Sequence, residues 1–341
     1  MSRQKNRTGT VICRGVPMDK TPRLVVLGAA SASDLPLSNS LLDRVTLTFA
    51  TATDELRRAL PGAGILLGWD FRADQLRKAW DAGTDLKWIH WCGAGVDAAL
   101  FPALQRSEVI LTNARGAFDQ AMAEYVLGLV IAMARSFADT FAAKSSRTWA
   151  YQLTETILDR HALVVGVGSI GRCVAHLLRA AGMRVSGVGR TARDSDVDFD
   201  RIHGVGELNG VLPEADVVIN VTPLTEQTRN LFSKAQFSAM KSSSRFINIG
   251  RGASVDENAL IEALGNGSIK GAALDVFQTE PLPRDSPLWD VENLIISPHM
   301  SGDIHGYHET VMKQFIDNLD RYLSGKSLLN VVDKAAGFVS S

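Results

Sequence analysis

The sequence predicts an α/β protein made of two parallel-sheet domains. Three observations carry this. At 341 residues the chain exceeds what one hydrophobic core ordinarily serves. Short apolar runs alternate with helical patterns along most of its length, as parallel strands covered by helices do. One run, Val164-Val165, enters a glycine-rich turn, Gly166-Val167-Gly168-Ser169-Ile170-Gly171, with a helical pattern at 172–181 behind it.

The elements follow in order. The first 22 residues are polar and basic, lack the apolar stretch of a signal peptide, and read as a flexible N-terminal tail. Strands are expected at 24–27, 45–49, 65–67, 88–91 and 109–111, with helices at 54–59 and 73–82 between them. Residues 120–135 read as a helix that is apolar on nearly every side, hence buried in a core or between subunits. Residues 142–156 are polar and read as an extended arm. After the glycine turn, strands are expected at 183–188, 217–220, 245–248, 272–276 and 294–297. The amphipathic pattern at 308–323 is expected to return to the first domain. That gives one discontinuous domain, 23–116 plus 305–341, and a second at 117–304.

Composition bounds the function. The formal net charge is −1 and hydrophobic residues make up 45 %, a globular composition without the basic excess that nucleic acid demands. The longest apolar stretch, near 125–134, is interrupted by Gly128 and too short to span a bilayer. The three cysteines, Cys13, Cys92 and Cys173, are far apart and odd in number. They fit neither a metal site nor a disulfide framework, so no metal and a reducing cytoplasm are expected.

The glycine turn assigns a ligand. Gly166 permits a tight turn, Gly168 lets backbone approach a pyrophosphate, and Gly171 lets helix and strand pack closely. The unpaired N–H groups of the helix start, from Ser169 and Ile170 on, then face phosphate charge. This is the pattern of a Rossmann-like dinucleotide site. Sites that prefer NAD carry an acidic residue about 20 residues on, for the ribose 2′-OH. Here the sequence reads Gly189-Arg190-Thr191-Ala192-Arg193, with no carboxylate before Asp194. Arg190, Thr191 and Arg193 suit a 2′-phosphate, so NADP(H) is expected over NAD(H), with NAD(H) as a second cofactor.

Ligands of open parallel sheets bind at the carboxyl ends of strands. The loops there carry Thr222-Pro223, Gly250-Arg251-Gly252, Asp275 with Glu280, and Pro298-His299. Arg251 precedes a helix expected to start at a Ser254-x-x-Glu257 capping box. A cation at that end opposes the helix dipole, so it is expected to serve an anion such as a substrate carboxylate. His299 is a plausible partner for Glu280, whose loop is stiffened by Pro281 and Pro283. A carboxylate bonded to an imidazole orients the ring and keeps a proton on it near neutral pH, as a general acid requires. Together these groups suit reduction of a 2-oxo acid.

The chain resembles the D-isomer-specific 2-hydroxyacid dehydrogenases from about residue 23 to 333. The matching motifs are Gly93-Ala94-Gly95-Val96-Asp97, Ala123-Glu124-Tyr125, the glycine turn, and Thr222-Pro223-Leu224-Thr225 with Thr228. Asn248-Ile249-Gly250-Arg251-Gly252, Ala273-Leu274-Asp275-Val276-Phe277, Glu280-Pro281-Leu282 and Ser297-Pro298-His299 complete the series. The resemblance implies two Rossmann-like or flavodoxin-like domains with an interdomain active-site cleft. It implies Arg251, Glu280 and His299 as the catalytic set, and the amides of Ala94 and Gly95 as binders of the substrate carboxylate beside Arg251 and His299. Asp275 and the Ile249 backbone would position the nicotinamide, and Thr222, Pro223, Thr228 and Ser301 would line the cofactor cleft. It further implies a homodimer built through the cofactor domain. The loop at Arg190 resembles that of NADP-using glyoxylate/hydroxypyruvate reductases. Formate dehydrogenase, phosphoglycerate dehydrogenase and a cofactor-sensing corepressor share the architecture and stand as alternatives. Formate dehydrogenases, however, place Gln where Glu280 stands, and neither a regulatory domain nor the corepressor's long extensions are present. Trp69 and Trp91 either narrow a substrate pocket or pack in the core, and Trp149 is a candidate to reach a neighbouring subunit.

Overall fold

The computed structural model describes residues 21–339, so the expected tail falls almost wholly outside the described residues. The described chain divides into two compact units. One holds the residues up to Ala117 and from Ile304 on, the other Phe118–Asp303.

The first unit is a five-stranded parallel sheet in the order β2-β1-β3-β4-β5. Its strands are β1 (Arg23–Leu27), β2 (Thr46–Ala50), β3 (Ile65–Gly68), β4 (Trp88–Trp91) and β5 (Ile110–Asn113). This is the flavodoxin-like order, whose crevice opens between β1 and β3. Helices α1 (Asn39–Leu42), α2 (Thr53–Ala59), α3 (Gln75–Lys78) and α4 (Pro102–Arg106) connect the strands. The helix expected at 73–82 is broken. Arg57 donates to the Lys78 carbonyl, an acceptor a longer helix would use, and to Asp81 Oδ2, and Trp80–Ala82 is a separate 3-10 turn.

Trp91 is fully buried with the β1, β3 and α2 side chains, so it is a core residue and not a pocket wall. A Cβ on Gly68 would lie 2.2 Å from its ring, which is why the neighbouring strand carries glycine there. On the other face of β4, Trp88 stacks on Phe315 and Tyr322 of the long terminal helix. His90 lies beside them, fully buried, with Nδ1 2.8 Å from Thr112 Oγ1 and no partner for Nε2 among the described residues. Burial pushes this imidazole down to about 3. Lys334 closes the unit, its Nζ donating to the carbonyls of Leu104, Ser107 and Val109.

The second unit is a seven-stranded parallel sheet in the order β12-β11-β10-β9-β6-β7-β8. The strands are β6 (His161–Val165), β7 (Arg184–Gly189), β8 (Ile202–Gly204), β9 (Val217–Asn220), β10 (Arg245–Asn248), β11 (Gly271–Leu274) and β12 (Leu294–Ile296). The order reverses between β6 and β9, so the crevice of a doubly wound sheet opens there. β8 was not expected from the sequence, since three residues give too short a run to read.

Helices α5 (Asp119–Ala134), α6 (Phe137–Ser145), α7 (Ser169–Ala180), α8 (Leu208–Val211), α9 (Lys234–Ala239) and α10 (Glu257–Gly265) belong to this unit, and α11 (Tyr307–Leu323) to the first. α5 buries only one side, through Ala123, Val126 and Val130, and leaves Leu127, Ile131 and Ala132 half-buried. The arm expected at 142–156 is helical as far as Ser145. Ser136, in the left-handed region at φ 50°, ends α5, and the alanines of 137–145 restart a helix. Only the following stretch is extended. It is tied down by Glu155, whose carboxylate receives Arg245 and Lys270 and is held at about 2 by them. No single helix among the described residues is long and apolar enough to cross a membrane.

Candidate active site

The glycine turn sits at the crevice. α7 begins at Ser169, three residues earlier than expected, so Ser169, Ile170 and Gly171 form its first turn. A Cβ on Gly171 would lie 1.9 Å from the Gly166 carbonyl oxygen, and Gly166 itself has φ +109° against the backbone of Val221. Only glycine fits either place. At Gly168 an added Cβ would meet nothing within 4 Å. The turn is therefore closed on the protein side and open on the other, with unpaired helix amides facing the opening. These residues fit a dinucleotide pyrophosphate.

Arg190, Thr191 and Arg193 are exposed beyond the end of β7. Arg193 also makes an ion pair, its Nη1 lying 3.0 Å from Asp196 Oδ2.

Across the crevice, β9 and β10 end in Asn220 and Asn248, both fully buried. Asn220 Nδ2 donates to Asn248 Oδ1 at 3.0 Å and to Ser254 Oγ at 2.6 Å, and its own Oδ1 accepts from Thr222 Oγ1 at 2.8 Å. Asn248 Oδ1 also accepts from the Gly250 amide, and its Nδ2 donates to the Arg251 carbonyl at 3.1 Å. Ser254 Oγ donates to the same carbonyl at 2.5 Å. Ser254 is thus no helix cap. Asp256 is the cap of α10, its side chain accepting from the Ala259 amide, and a 3-10 turn, Gly252–Ser254, separates Arg251 from the helix. The dipole argument for Arg251 therefore fails. What fixes this residue is the bonded backbone around it, while its Nη1 donates to the Gly250 carbonyl at 2.8 Å. A Cβ on Gly252 would lie 1.9 Å from the Phe277 carbonyl carbon, so this turn rests directly on the next loop.

That next loop carries Glu280. Its Oε1 accepts from the Phe277 amide at 2.9 Å and its Oε2 lies 2.7 Å from His299 Nδ1. The side chains of His299 and Glu280 are 23 % and 29 % exposed, so the pair opens to solvent on one side. His299 has φ 52°, a costly conformation for a residue with a Cβ. Asp275, 1 % exposed, holds it there. Oδ1 accepts from Ser297 Oγ at 2.6 Å and the Met300 amide at 2.9 Å, and Oδ2 accepts from the Ser301 amide at 2.9 Å. Asp275 therefore spends its carboxylate on the loop that carries His299.

The remaining expected residues are placed as follows. The Thr228 hydroxyl donates to the Pro223 carbonyl at 2.6 Å and accepts from the Thr225 amide, closing the 222–228 turn. The Ile249 amide donates to Asn220 O, so its carbonyl is the backbone group left to a ligand. In the first unit, Asn113 Nδ2 donates to the Ala94 carbonyl at 2.6 Å and the Ala114 amide donates to the Gly93 carbonyl. Both carbonyls are engaged, which orients the Ala94–Gly95 turn. Trp69 stacks on His308 at 5.1 Å within the same unit, and Trp149 is 99 % exposed. Among the described residues no group of three or more His, Cys, Asp or Glu is placed to hold a metal.

Sequence reasoning passed over Asn220, Asn248 and Ser297. The available signal was a polar residue closing an otherwise apolar strand, which needs a partner when buried.

Residues 127–301, about half of the chain, match the D-isomer specific 2-hydroxyacid dehydrogenase, NAD binding domain. A glyoxylate/hydroxypyruvate reductase B of Salmonella newport is 37 % identical over 253 residues, covering 71 % of this chain and 77 % of that protein. A D-isomer specific 2-hydroxyacid dehydrogenase family protein of Aeromonas salmonicida superposes with a TM-score of 0.80 at 32 % identity, over 92 % of this chain and 100 % of that one. An NADPH-dependent glyoxylate/hydroxypyruvate reductase of Sinorhizobium meliloti, solved with NADP and sulfate, does so with a TM-score of 0.81 at 27 % identity, over 94 % and 100 %. With these matches added to the glycine turn and the two parallel sheets, the chain belongs to the D-isomer-specific 2-hydroxyacid dehydrogenases, oxidoreductases that move a hydride between a nicotinamide dinucleotide and a 2-hydroxy or 2-oxo acid.

Proposed function

We propose that this enzyme reduces small 2-oxo acids, glyoxylate and hydroxypyruvate foremost, with NADP(H) preferred and NAD(H) accepted. The observation that carries the reading is the 2.7 Å bond between His299 and Glu280, in a loop that Asp275 clamps. Residues 117–304 form the cofactor domain, and 23–116 with 305–341 the substrate domain. The glycine turn with Arg190, Thr191 and Arg193 would hold the cofactor, which when bound would supply the hydride for the carbonyl carbon. Thr222, Pro223, Thr228 and Ser301 would line the cofactor cleft, and Asp275 and the Ile249 backbone would position the nicotinamide.

Arg251 binds the substrate carboxylate with the amides of Ala94 and Gly95, and its charge favours the oxyanion that develops at C2. With Nδ1 on Glu280, His299 gives the proton from Nε2 to that oxygen. Glu280 fixes the tautomer and the ring plane and offsets the imidazolium charge. In the oxidative direction neutral His299 takes the hydroxyl proton. The half-buried apolar side of α5, the exposed Phe141, and the arm with Trp149, Tyr151 and Leu153 support a homodimer built on the cofactor domain, and the three scattered cysteines support a place in the cytoplasm.

The test is the loss of reduced-cofactor absorbance with glyoxylate, hydroxypyruvate, pyruvate and phenylpyruvate, using NADPH and NADH in turn. Turnover of glyoxylate and hydroxypyruvate with NADPH is expected to be fastest. No turnover across the panel would overturn the reading, and equal kcat/KM with NADH would overturn the cofactor preference.

A further inference from the structure

Beyond Arg193 the sequence reads Asp194-Ser195-Asp196-Val197-Asp198-Phe199-Asp200, a carboxylate at every second position. Such a strip is an odd neighbour for a loop that binds a phosphate, because uncompensated it would repel the dianion. Each carboxylate meets an arginine. Arg172, in the first turns of α7, spans two of them. Its Nη1 and Nη2 lie 2.7 and 3.0 Å from the two oxygens of Asp196, and Nη1 lies 2.6 Å from Asp198 Oδ2. Asp200 pairs with Arg179 of the same helix, and Asp194 Oδ1 lies 3.6 Å from Arg201 Nη2.

Asp196 is the centre of the arrangement. Its side chain is 6 % exposed, it accepts from both Arg172 and Arg193, and it also accepts from the Asp198 amide. The Arg172 guanidinium holds its carboxyl at about 2, so it is charged at neutral pH. The backbone of Arg193 is bonded both ways to Ile202 of β8, and Phe199 buries its ring in the core beside α7. The strip is thus fastened to α7 by two guanidiniums, Arg172 at Asp196 and Asp198 and Arg179 at Asp200, and Arg193 is fastened to the Arg172 end of the strip through Asp196.

We propose that Arg172 is a specificity-determining positioning residue for the ribose 2′-phosphate: it neutralises Asp196 and Asp198 and thereby sets Arg193 for the ligand. This rests on the reading of Arg190, Thr191 and Arg193 as the 2′-phosphate loop. Loss of Arg172 has two effects of the same sign. The charge around the loop moves one unit toward negative, and Asp196 is released from α7 and takes Arg193 with it. Both weaken a dianionic 2′-phosphate, and neither acts on a ligand whose ribose carries a plain 2′-OH.

The experiment is calorimetric titration of the full chain with 2′,5′-ADP and with 5′-AMP, alongside NADPH and NADH kinetics. Arg172→Gln is expected to weaken 2′,5′-ADP about tenfold, the size of one lost charge-assisted bond, and to leave 5′-AMP within about twofold. The KM for NADPH should rise with kcat unchanged. Adding Asp196→Asn and Asp198→Asn to that variant should restore most of the 2′,5′-ADP affinity, because the released charges are gone. Arg190→Ala is the control for the loop itself. If Arg190→Ala leaves the preference for 2′,5′-ADP intact, the loop reading falls and the proposal with it. If Arg190→Ala abolishes the preference while Arg172→Gln keeps it, or weakens both ligands alike, or is not rescued by the two asparagines, the loop stands and the role of Arg172 is overturned. Should Arg172→Gln fail to fold, Arg172→Lys keeps the charge without the fork and is expected to show a smaller loss confined to 2′,5′-ADP. An equal loss for both ligands in that variant overturns the proposal too.

Discussion

The two sheets end their strands in opposite ways. In the seven-stranded unit, β9, β10 and the segments after β11 and β12 close with Asn220, Asn248, Asp275 and Ser297, all buried and bonded into two polar networks. In the five-stranded unit, β3 and β4 close with Gly68 and Trp91, and the one buried polar end, Asn113, grips a backbone carbonyl. In the proposed mechanism the first arrangement aims ionisable side chains, Arg251 and His299, and each needs its backbone pinned from behind. In the same proposal the second presents backbone amides at Ala94 and Gly95 and needs only a fixed turn. A buried polar group left unbonded costs about 1–3 kcal/mol. Such networks are therefore worth burying where a side chain must be held to a fraction of an ångström.

That contrast can be broken at several points. His299→Ala should lower kcat about 100-fold or more through lost acid catalysis, measured as steady-state NADPH oxidation, with NADPH binding unchanged. Near-normal turnover would remove His299 from the chemistry. Arg251→Ala should lower kcat and raise the substrate KM together, since it acts on both ground state and oxyanion. Asn113→Ala in the other unit should be milder: a substrate KM several-fold higher, roughly the worth of one loosened hydrogen bond, with kcat spared. A kcat loss as large as that of His299→Ala would erase the distinction between the two units.

The last effect is on stability. His90 is buried neutral, so its folded-state value of about 3 lies below the 6.5 of the unfolded chain. The unfolded chain therefore binds the extra proton as pH falls below 6.5, and stability declines through that window until about 3, by at most about 1.4 kcal/mol per pH unit. Melting temperature followed against pH should show this slope flattened in His90→Gln, and an unchanged slope would place the acid sensitivity elsewhere.

Much of this was legible in the sequence, and the reasons differ by element. β4, β9 and β10 fall at 88–91, 217–220 and 245–248 as read, because each is an apolar run stopped by a turn residue or a polar strand end. The pairing of Glu280 with His299 was readable from proline-stiffened loops meeting at strand ends. Side-chain bonding was not. Ser254-x-x-Glu257 satisfies a capping pattern, yet Asp256 is the better-placed acceptor, and only backbone geometry decides between them. The pairing of Arg193 with Asp196 and Arg172 was hidden because residues at 172 and 196 become neighbours only once β7 has turned back on α7. Only coordinates reveal that the oxygens of Asp275 grip Ser297, Met300 and Ser301.

The discontinuous first unit has a consequence during synthesis. Its sheet emerges from the ribosome early, but Phe315 and Tyr322, which stack on the ring of Trp88, come more than two hundred residues later. The whole seven-stranded unit is translated in between. The nascent chain must therefore carry a half-built sheet with a bare aromatic face while its middle is already able to fold, which makes that face the place where a chaperone would be needed first.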